Sequence, residues 1–162
     1  MAVHAGRHRL GTARGRLVLR TYRDGLAAQA GHDLTIEVGR WSGELVVNDD
    51  QTPADLSVQV DLGSLVVLEG TGGIKSLTDR DRREIVATAA KVLDVERHPH
   101  ATYSAAKFEP DGSGGGMVSG TLTLRGQARP LQLQVNSTGE DRYRVTTSVV
   151  QSAYGIKPYT AF

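Results

Sequence analysis

The chain has 162 residues, a length typical of one domain, and its 19 Lys and Arg against 18 Asp and Glu leave a formal net charge of +1. It contains no cysteine, which excludes disulfides, thiolate metal sites and a cysteine nucleophile. The balanced charge disfavours a nucleic-acid partner, and no stretch is apolar enough for an export signal or a membrane span.

We therefore predict a single domain over residues 1–162, of which residues 1–14 form a flexible N-terminal tail. The tail, "MAVHAGRHRLGTAR", mixes Gly, Arg and His without an apolar run. Because no export signal precedes the domain, the sequence predicts a cytoplasmic protein.

Alternation of apolar and polar residues dominates the first half of the chain and predicts strands with one buried face. It is clear in "RLVLRTY", in "DLSVQVDL" and in "DLTIEV", where Leu34, Ile36 and Val38 share a face. Beyond Gly39 the apolar phase shifts by one residue, so that it restarts at Trp41. Because glycine lacks a Cβ atom, Gly39 is predicted to be a bulge or a bend.

One segment, residues 78–95, has apolar residues at helical spacing, with charges on the opposite side. Thr78 and Asp81 fit a variant of the capping box, which predicts a helix of about three turns beginning there. The preceding loop, "EGTGGIKSL", lacks the glycine that a phosphate-binding loop needs before its lysine. Lys75 and Arg80, near the helix N-terminus, are candidates for contacting an acidic head group. The alternative is a flexible loop beside a capped helix, with no ligand.

Three more alternating stretches follow the helix: "VSGTLTL", "PLQLQV" and "YRVTTSVV". Each keeps one apolar and one polar face, as Leu131, Leu133 and Val135 do against Gln132 and Gln134. Several short strands joined by turns, with a single helix, predict an all-β sandwich or a closed barrel.

The histidines do not predict a metal site or a general base. His98 and His100 would point to one side of an extended chain, but their only nearby third ligand is Glu96. His32 precedes Asp33, and adjacent strand residues face opposite ways, so Asp33 cannot orient His32 as a general base. We predict no catalytic residue, no metal site and no cofactor.

Five stretches, in this order and spacing, resemble the YceI-like family of polyisoprenoid-binding proteins: "GHDLTIEVGRWSGEL", "DLSVQVDLGSL", "LDVERHPHATYSA", "VSGTLTLRGQARPLQLQV" and "SAYGIKPYTAF". The resemblance implies an all-β fold with one short helix, an antiparallel lipocalin-like β-barrel of about eight strands. It also implies a soluble, non-enzymatic protein that carries or sequesters an isoprenoid or a similar lipid, such as a quinone or a prenyl diphosphate.

On this interpretation the apolar strand faces line the ligand space, where burial gains roughly 25 cal/mol per Å² of apolar surface. The candidate ligand-binding residues on the strands are Leu34, Ile36, Val58, Val60, Leu122, Leu124, Leu133 and Val135. Four aromatic residues are expected nearer the rim: Trp41, Tyr103, Phe108 and Tyr154. A filled barrel without a cavity would show the same alternation.

Family members continue beyond "GIKPYTAF" into another strand, whereas this sequence ends at Phe162. A barrel without that strand exposes an edge, which a second copy in a homodimer or further residues of the protein are expected to cover. Two alternatives to the carrier stay open. One is an enzyme or redox protein that uses a bound quinone or haem with His32, His98 or His100. The other is a ligand-free module that pairs through its sheet edge.

Overall fold

The computed structural model of the protein describes residues 3–21, 33–71 and 77–156. The strands are β1 (Gly6–Gly11), β2 (Val18–Thr21), β3 (Asp33–Val38), β4 (Trp41–Val47), β5 (Pro53–Asp61), β6 (Leu65–Thr71), β7 (His100–Pro110), β8 (Gly116–Leu124), β9 (Gln127–Gly139) and β10 (Arg142–Thr146). The helix α1 (Asp79–Val92) follows β6, and two short 3-10 turns cover Leu62–Ser64 and Gln151–Tyr154.

These strands form two antiparallel sheets. The large sheet has seven strands in the order β1-β4-β5-β7-β8-β9-β10, and the small sheet has three in the order β2-β3-β6. The large sheet curls into a half-barrel. Its two edges approach each other at one end. This is shown by a pocket that both His4, just before β1, and Tyr143, on β10, line. The structure thus confirms the predicted all-β, lipocalin-like barrel architecture with one helix.

The N-terminal segment corrects one prediction. Residues 1–14 were expected to be a flexible tail, but Gly6–Gly11 pairs with β4 over its whole length, with His8 opposite Leu45 and Leu10 opposite Gly43. A tail rich in Gly and Arg can still form an edge strand, because an edge strand needs only one partner and tolerates charged side chains.

The small sheet confirms the predicted face of β3. Leu34, Ile36 and Val38 are all buried, and they pack with residues of β6 and α1. We call this group the helix cluster; its buried members are Leu34, Ile36, Val38, Leu65, Val67 and Ala89. Trp41 and Val60 of the large sheet also pack against it, so the helix cluster joins the two sheets.

Two corners carry the chain between the sheets, and Ser64 holds them together. Gly39, at the first corner, donates its N–H to the Ser64 carbonyl (2.8 Å), and a Cβ atom on Gly39 would lie 2.9 Å from that oxygen. The Ser64 hydroxyl accepts from the Arg40 N–H (2.8 Å) and donates to the Asp61 carbonyl (2.6 Å). The phase shift at Gly39 therefore marks the place where the chain leaves one sheet for the other.

The helix begins as its sequence predicts. The Thr78 side chain accepts from the Asp81 N–H, and the Asp81 carboxylate accepts from the Thr78 N–H, which completes a capping box. Asp79 and Asp81 lie in the first turn and Lys91 in the last, as the helix dipole favours. The buried stripe around Ala89 faces the small sheet.

The chain beyond β10 departs from simple alternation. The predicted strand "YRVTTSVV" ends at Thr146, and the Gln151–Tyr154 turn then packs back onto the large sheet. Tyr154 is buried in a second group, the end cluster, whose buried members are Leu62, Ala101, Leu124, Tyr154 and Ile156. Within the described ranges, no helix is long and apolar enough to cross a membrane.

The corner at Ser64 gives the first prediction. Ser64 is buried, and replacing it by Ala removes its hydrogen bonds to the Arg40 N–H and the Asp61 carbonyl, so the free energy of unfolding should fall by about 1–3 kcal/mol. Urea denaturation measures this loss. The matched control is Ser57→Ala, because Ser57 is an exposed serine of β5; its effect should stay within about 0.5 kcal/mol. Equal effects of both substitutions would contradict the role given to Ser64.

Candidate functional site

The inner face of the large sheet is the candidate site. Residues directly opposite each other in an antiparallel pair lie on one face, so the strand register defines this surface row by row. The rows run along Trp41–Val60–Ala101, Gly43–Val58–Tyr103–Leu122, Leu45–Leu56–Ala105–Gly120–Leu131, Phe108–Val118–Leu133 and Gly116–Val135–Val145. We call this surface the inner face. It is apolar in its middle, and by the same register His8, opposite Leu45, and Arg129, opposite Leu122, add polar side chains to it.

Tyr103 crosses the middle of the inner face. A Cβ atom on Gly120 would lie 2.7 Å from Cζ of the Tyr103 ring, so the ring lies over the space that Gly120 leaves free. The Tyr103 hydroxyl donates to the Leu131 carbonyl at 2.8 Å, and Tyr103 is buried. Burial raises the pKa of Tyr103 above its ordinary value of 10.0. The side chain therefore ties β7 to β9 across β8 as a neutral phenol.

The side chains of the inner face become more exposed to solvent toward β10. Tyr103, Ala105 and Val118 are buried, whereas Leu131, Leu133 and Val135 of β9 are half-buried. Val145 of β10, opposite Val135, is 52% exposed. An apolar wall that faces inward and is still partly accessible is a surface that an apolar ligand can cover.

The other end of the inner face is closed by the Gln151–Tyr154 turn. Arg125 donates from a terminal guanidinium nitrogen to the Gly155 carbonyl at 2.6 Å, and Arg129 donates from Nε to the Ala153 carbonyl at 3.2 Å. Burial raises the pKa of Tyr154, and the nearby positive charge of Arg129 partly offsets that rise. These arginines bind main-chain carbonyls, so they hold the turn in place.

Most predicted lining residues lie together on the inner face: Trp41, Val58, Val60, Tyr103, Phe108, Leu122, Leu124, Leu133 and Val135. Leu34 and Ile36 lie elsewhere, fully packed in the helix cluster. Two aromatic positions also differ from the predicted rim. Tyr103 is buried in the middle of the face, and Tyr154 is 2% exposed within the end cluster.

Several inner-face residues were not among the predicted site residues: Leu45, Leu56, Ala105, Val118, Leu131 and Val145. Their strand parity was available in the sequence. What parity could not supply was the register between strands, which places Leu45 opposite Leu56 and Leu131 opposite Gly120.

The structure describes one of the two predicted head-group residues. Lys75 lies outside the described residues. Arg80 is exposed over 82% of its side chain and forms an ion pair with Glu84 at 3.1 Å, so it points to solvent on α1. Arg82, two residues further on, is the less exposed arginine of that turn, at 39%, and sequence reasoning missed it.

The histidines do not converge. The His98 ring packs beside Gly126, whereas His100 lies opposite Asp61 on the exposed side of the large sheet. Asp61 has its pKa lowered chiefly by a hydrogen bond from Arg40 and only weakly by His100. His32 lies outside the described residues. In the part of the chain that the structure describes, no group of three His, Asp or Glu side chains is placed to hold a metal ion.

The outer face of the same sheet is polar. A pocket of about 370 Å³ lies over β4, β5 and β7, and its outward side chains include Ser42, Ser57, Gln59, Thr102 and Ser104. Because successive strand residues face opposite ways, this hydroxyl-rich wall backs directly onto the apolar inner face. The two faces of the sheet therefore differ in chemistry: the outer face is polar and the middle of the inner face is apolar.

Comparison with known proteins gives a consistent result. A model of the YceI-like domain family matches residues 21–161. Among solved structures, BcnA from Burkholderia cenocepacia aligns with a TM-score of 0.58 at 18% identity, covering 75% of this chain and 72% of that one. A polyisoprenoid-binding domain from Saccharophagus degradans, implicated in plant cell wall breakdown, aligns with a TM-score of 0.56 at 16% identity, covering 94% and 82%. No curated protein matches the sequence.

The Tyr103 bridge gives the second prediction. Tyr103→Phe removes the bond to the Leu131 carbonyl and should lower the free energy of unfolding by about 1 kcal/mol at neutral pH. The raised pKa means that the folded protein holds the phenolic proton more tightly than the unfolded chain. This stabilisation is complete below the ordinary tyrosine pKa and is lost as the pH rises through the folded pKa.

Wild type should therefore lose more stability than Tyr103→Phe between about pH 9 and pH 11. Urea denaturation at a series of pH values measures the difference. Parallel pH profiles for the two proteins would show that Tyr103 does not titrate differently on folding.

Proposed function

This chain belongs to the YceI-like family, and on that premise we propose that it is a non-enzymatic protein that binds a long-chain isoprenoid or a similarly apolar lipid. The lipid would lie against the inner face of the large sheet. Such binding would serve to store or transport the lipid. The relative from Saccharophagus degradans, described as a polyisoprenoid-binding domain, supports a ligand of this class.

The main support for this proposal is that part of the inner face is exposed to solvent. Leu131, Leu133 and Val135 are half-buried and Val145 is 52% exposed, although all four point to the inside of the curled sheet. Covering such surface gains roughly 25 cal/mol per Å², so a long apolar chain binds there with few polar contacts.

The rival enzymatic function has weaker support. It needs His32, His98 or His100 to act on a bound quinone or haem. His98 packs beside Gly126 and His100 lies on the outer face, so neither adjoins the apolar rows. Binding without chemistry is the function that the inner face supports best.

Exposed valines at the β10 edge favour a second candidate function, the pairing of two copies of the chain. Val145, Val149 and Val150 are 52%, 40% and 64% exposed, and they lie on β10 or just beyond it. An edge strand presents unpaired backbone N–H and C=O groups to another chain, and the exposed valines on and beyond β10 add apolar surface beside them. Light scattering after size-exclusion chromatography would show a dimer, and Val150→Lys should shift it toward monomer. A monomeric wild type would remove this candidate.

Lipid binding is tested by placing the same charge on opposite faces of β9. Leu133→Glu puts a carboxylate on the inner face and should weaken binding of a fluorescent prenyl probe by more than about tenfold. Gln132→Glu puts it on the exposed outer face and should leave binding unchanged. Trp41 is the only tryptophan of the chain and packs at one end of the inner face, so its emission reports binding independently.

Because Leu133→Glu also threatens folding, Leu133→Ala provides a milder variant, and circular dichroism checks both. It should weaken binding by about threefold to tenfold through lost apolar contact. Two results would contradict the proposal: equal affinities of the Leu133 and Gln132 variants, or failure of the wild type to bind any apolar probe.

A further inference from the structure

The polar pocket on the outer face of the large sheet is a groove that crosses three strands. Its floor is the backbone of Gly43, Val58 and Tyr103, which lie side by side in the strand register. Its two walls are rows of polar side chains from the same strands: Ser42, Gln59 and Thr102 on one side, and Glu44, Ser57 and Ser104 on the other. We call this pocket the outer groove. Its volume of about 370 Å³ is typical of a small-ligand site.

Strand geometry sets the size of the outer groove. Neighbouring strands lie about 4.8 Å apart, so three strands give a length of about 10 Å, and residues two apart on one strand hold the walls about 7 Å from each other. On β8, Thr123 lies opposite Thr102 and Thr121 opposite Ser104, so both polar walls continue for one more strand. The facing residues of β9 carry no hydroxyl, and the rows end there. A groove of this shape admits a short run of flat six-membered rings.

The hydroxyl groups of the outer groove are available to a ligand. Ser57 lies directly opposite Ser104, a position where hydroxyl side chains can bond to each other across strands. Within the described ranges, neither side chain forms a hydrogen bond, and the same holds for Ser42, Gln59 and Thr102. Each hydroxyl offers one donor and two acceptor positions, and a ligand can use all of them.

The charges at the outer groove are already paired. Its one carboxylate, Glu44, forms an ion pair with Arg7 at 3.4 Å. In the next row along the strands, Asp61 forms an ion pair with Arg40 at 2.7 Å. An ionic ligand would find no opposite charge on the walls to compensate its own, and removing an uncompensated charge from water is costly. The charge pattern therefore selects a neutral ligand.

The composition of the walls also disfavours a protein partner. Protein interfaces are enriched in aromatic residues, Met and Arg and depleted in Ser, and their binding energy comes mainly from a few large anchors. The walls of the outer groove consist instead of short hydroxyl side chains, one amide and one paired carboxylate. Their complement is a neutral molecule that is itself rich in hydroxyl groups.

We propose that the outer groove binds a neutral saccharide chain. The sugar rings lie along the groove, across the strands, and their hydroxyl groups donate to and accept from both walls. Each of these hydrogen bonds replaces one with water and is of modest net strength, so the dissociation constant should be in the millimolar range. The outer groove lies on the opposite side of the sheet from the inner face, so this site does not depend on lipid binding.

Nuclear magnetic resonance titration of the ¹⁵N-labelled full chain tests the proposal with three neutral probes: cellohexaose, chitohexaose and maltohexaose. At least one hexaose should bind saturably, and its chemical-shift changes should centre on residues 42–44, 57–59 and 102–104. The absence of saturable changes with all three hexaoses would overturn the proposal. Changes that centre on any other surface would overturn it as well.

Single-hydroxyl variants then assign the binding to the walls of the outer groove. Thr102→Val keeps the shape of the side chain and removes its hydroxyl, and Ser57→Ala does the same on the opposite wall. Each should weaken binding of the hexaose by about threefold to tenfold. The matched control is Thr138→Val, because Thr138 is exposed on β9 outside the outer groove; it should leave the affinity unchanged.

Equal losses of affinity in Thr102→Val and Thr138→Val would show that the walls of the outer groove do not contact the sugar, and would overturn the proposal. Thermal unfolding followed by circular dichroism confirms that each variant is folded at the titration temperature. All three substituted side chains are exposed, so the variants should unfold close to the temperature of the wild type.

Discussion

The two corners joined at Ser64 are the constraint on which the rest of the structure depends. A continuous set of alternating strands has no intrinsic reason to divide into two sheets. It divides here because Gly39 allows the backbone to approach the Ser64 carbonyl, and because the Ser64 hydroxyl bonds to both corners. These few bonds set the small sheet and α1 against one end of the large sheet. They also create the helix cluster, in which both sheets meet.

With the two sheets separated, the register between neighbouring strands determines which side chains form the inner face. Each cross-strand row adds an apolar side chain to the same wall, and Gly120 leaves space for the ring of Tyr103 to cross it. The Gln151–Tyr154 turn closes one end, while the β9 and β10 side remains partly open. The inner face is therefore closed at one end and partly exposed along its β9 and β10 side.

Much of this was predictable, because period-two alternation is a local property. The face of β3, the bend at Gly39 and the capping box at Thr78 all appear in the structure as the sequence predicts. The β1 strand and the buried position of Tyr154 were not predicted, since both depend on distant partners: β4 for the first, and the end cluster for the second. The lower exposure of Arg82 compared with Arg80 was equally hidden, because helical spacing does not show which of several arginines packs more closely against its surroundings.

The outer wall of the large sheet, with its rows of serine and threonine, has a consequence for how such a protein changes over generations. Residues that alternate in and out share a backbone but almost no side-chain contacts, so substitutions on one side leave packing on the other intact. The two surfaces are therefore free to diverge independently, provided that parity and the glycines at close approaches are kept. Such independence is consistent with the common fold that this chain shares with solved structures of 18% and 16% sequence identity.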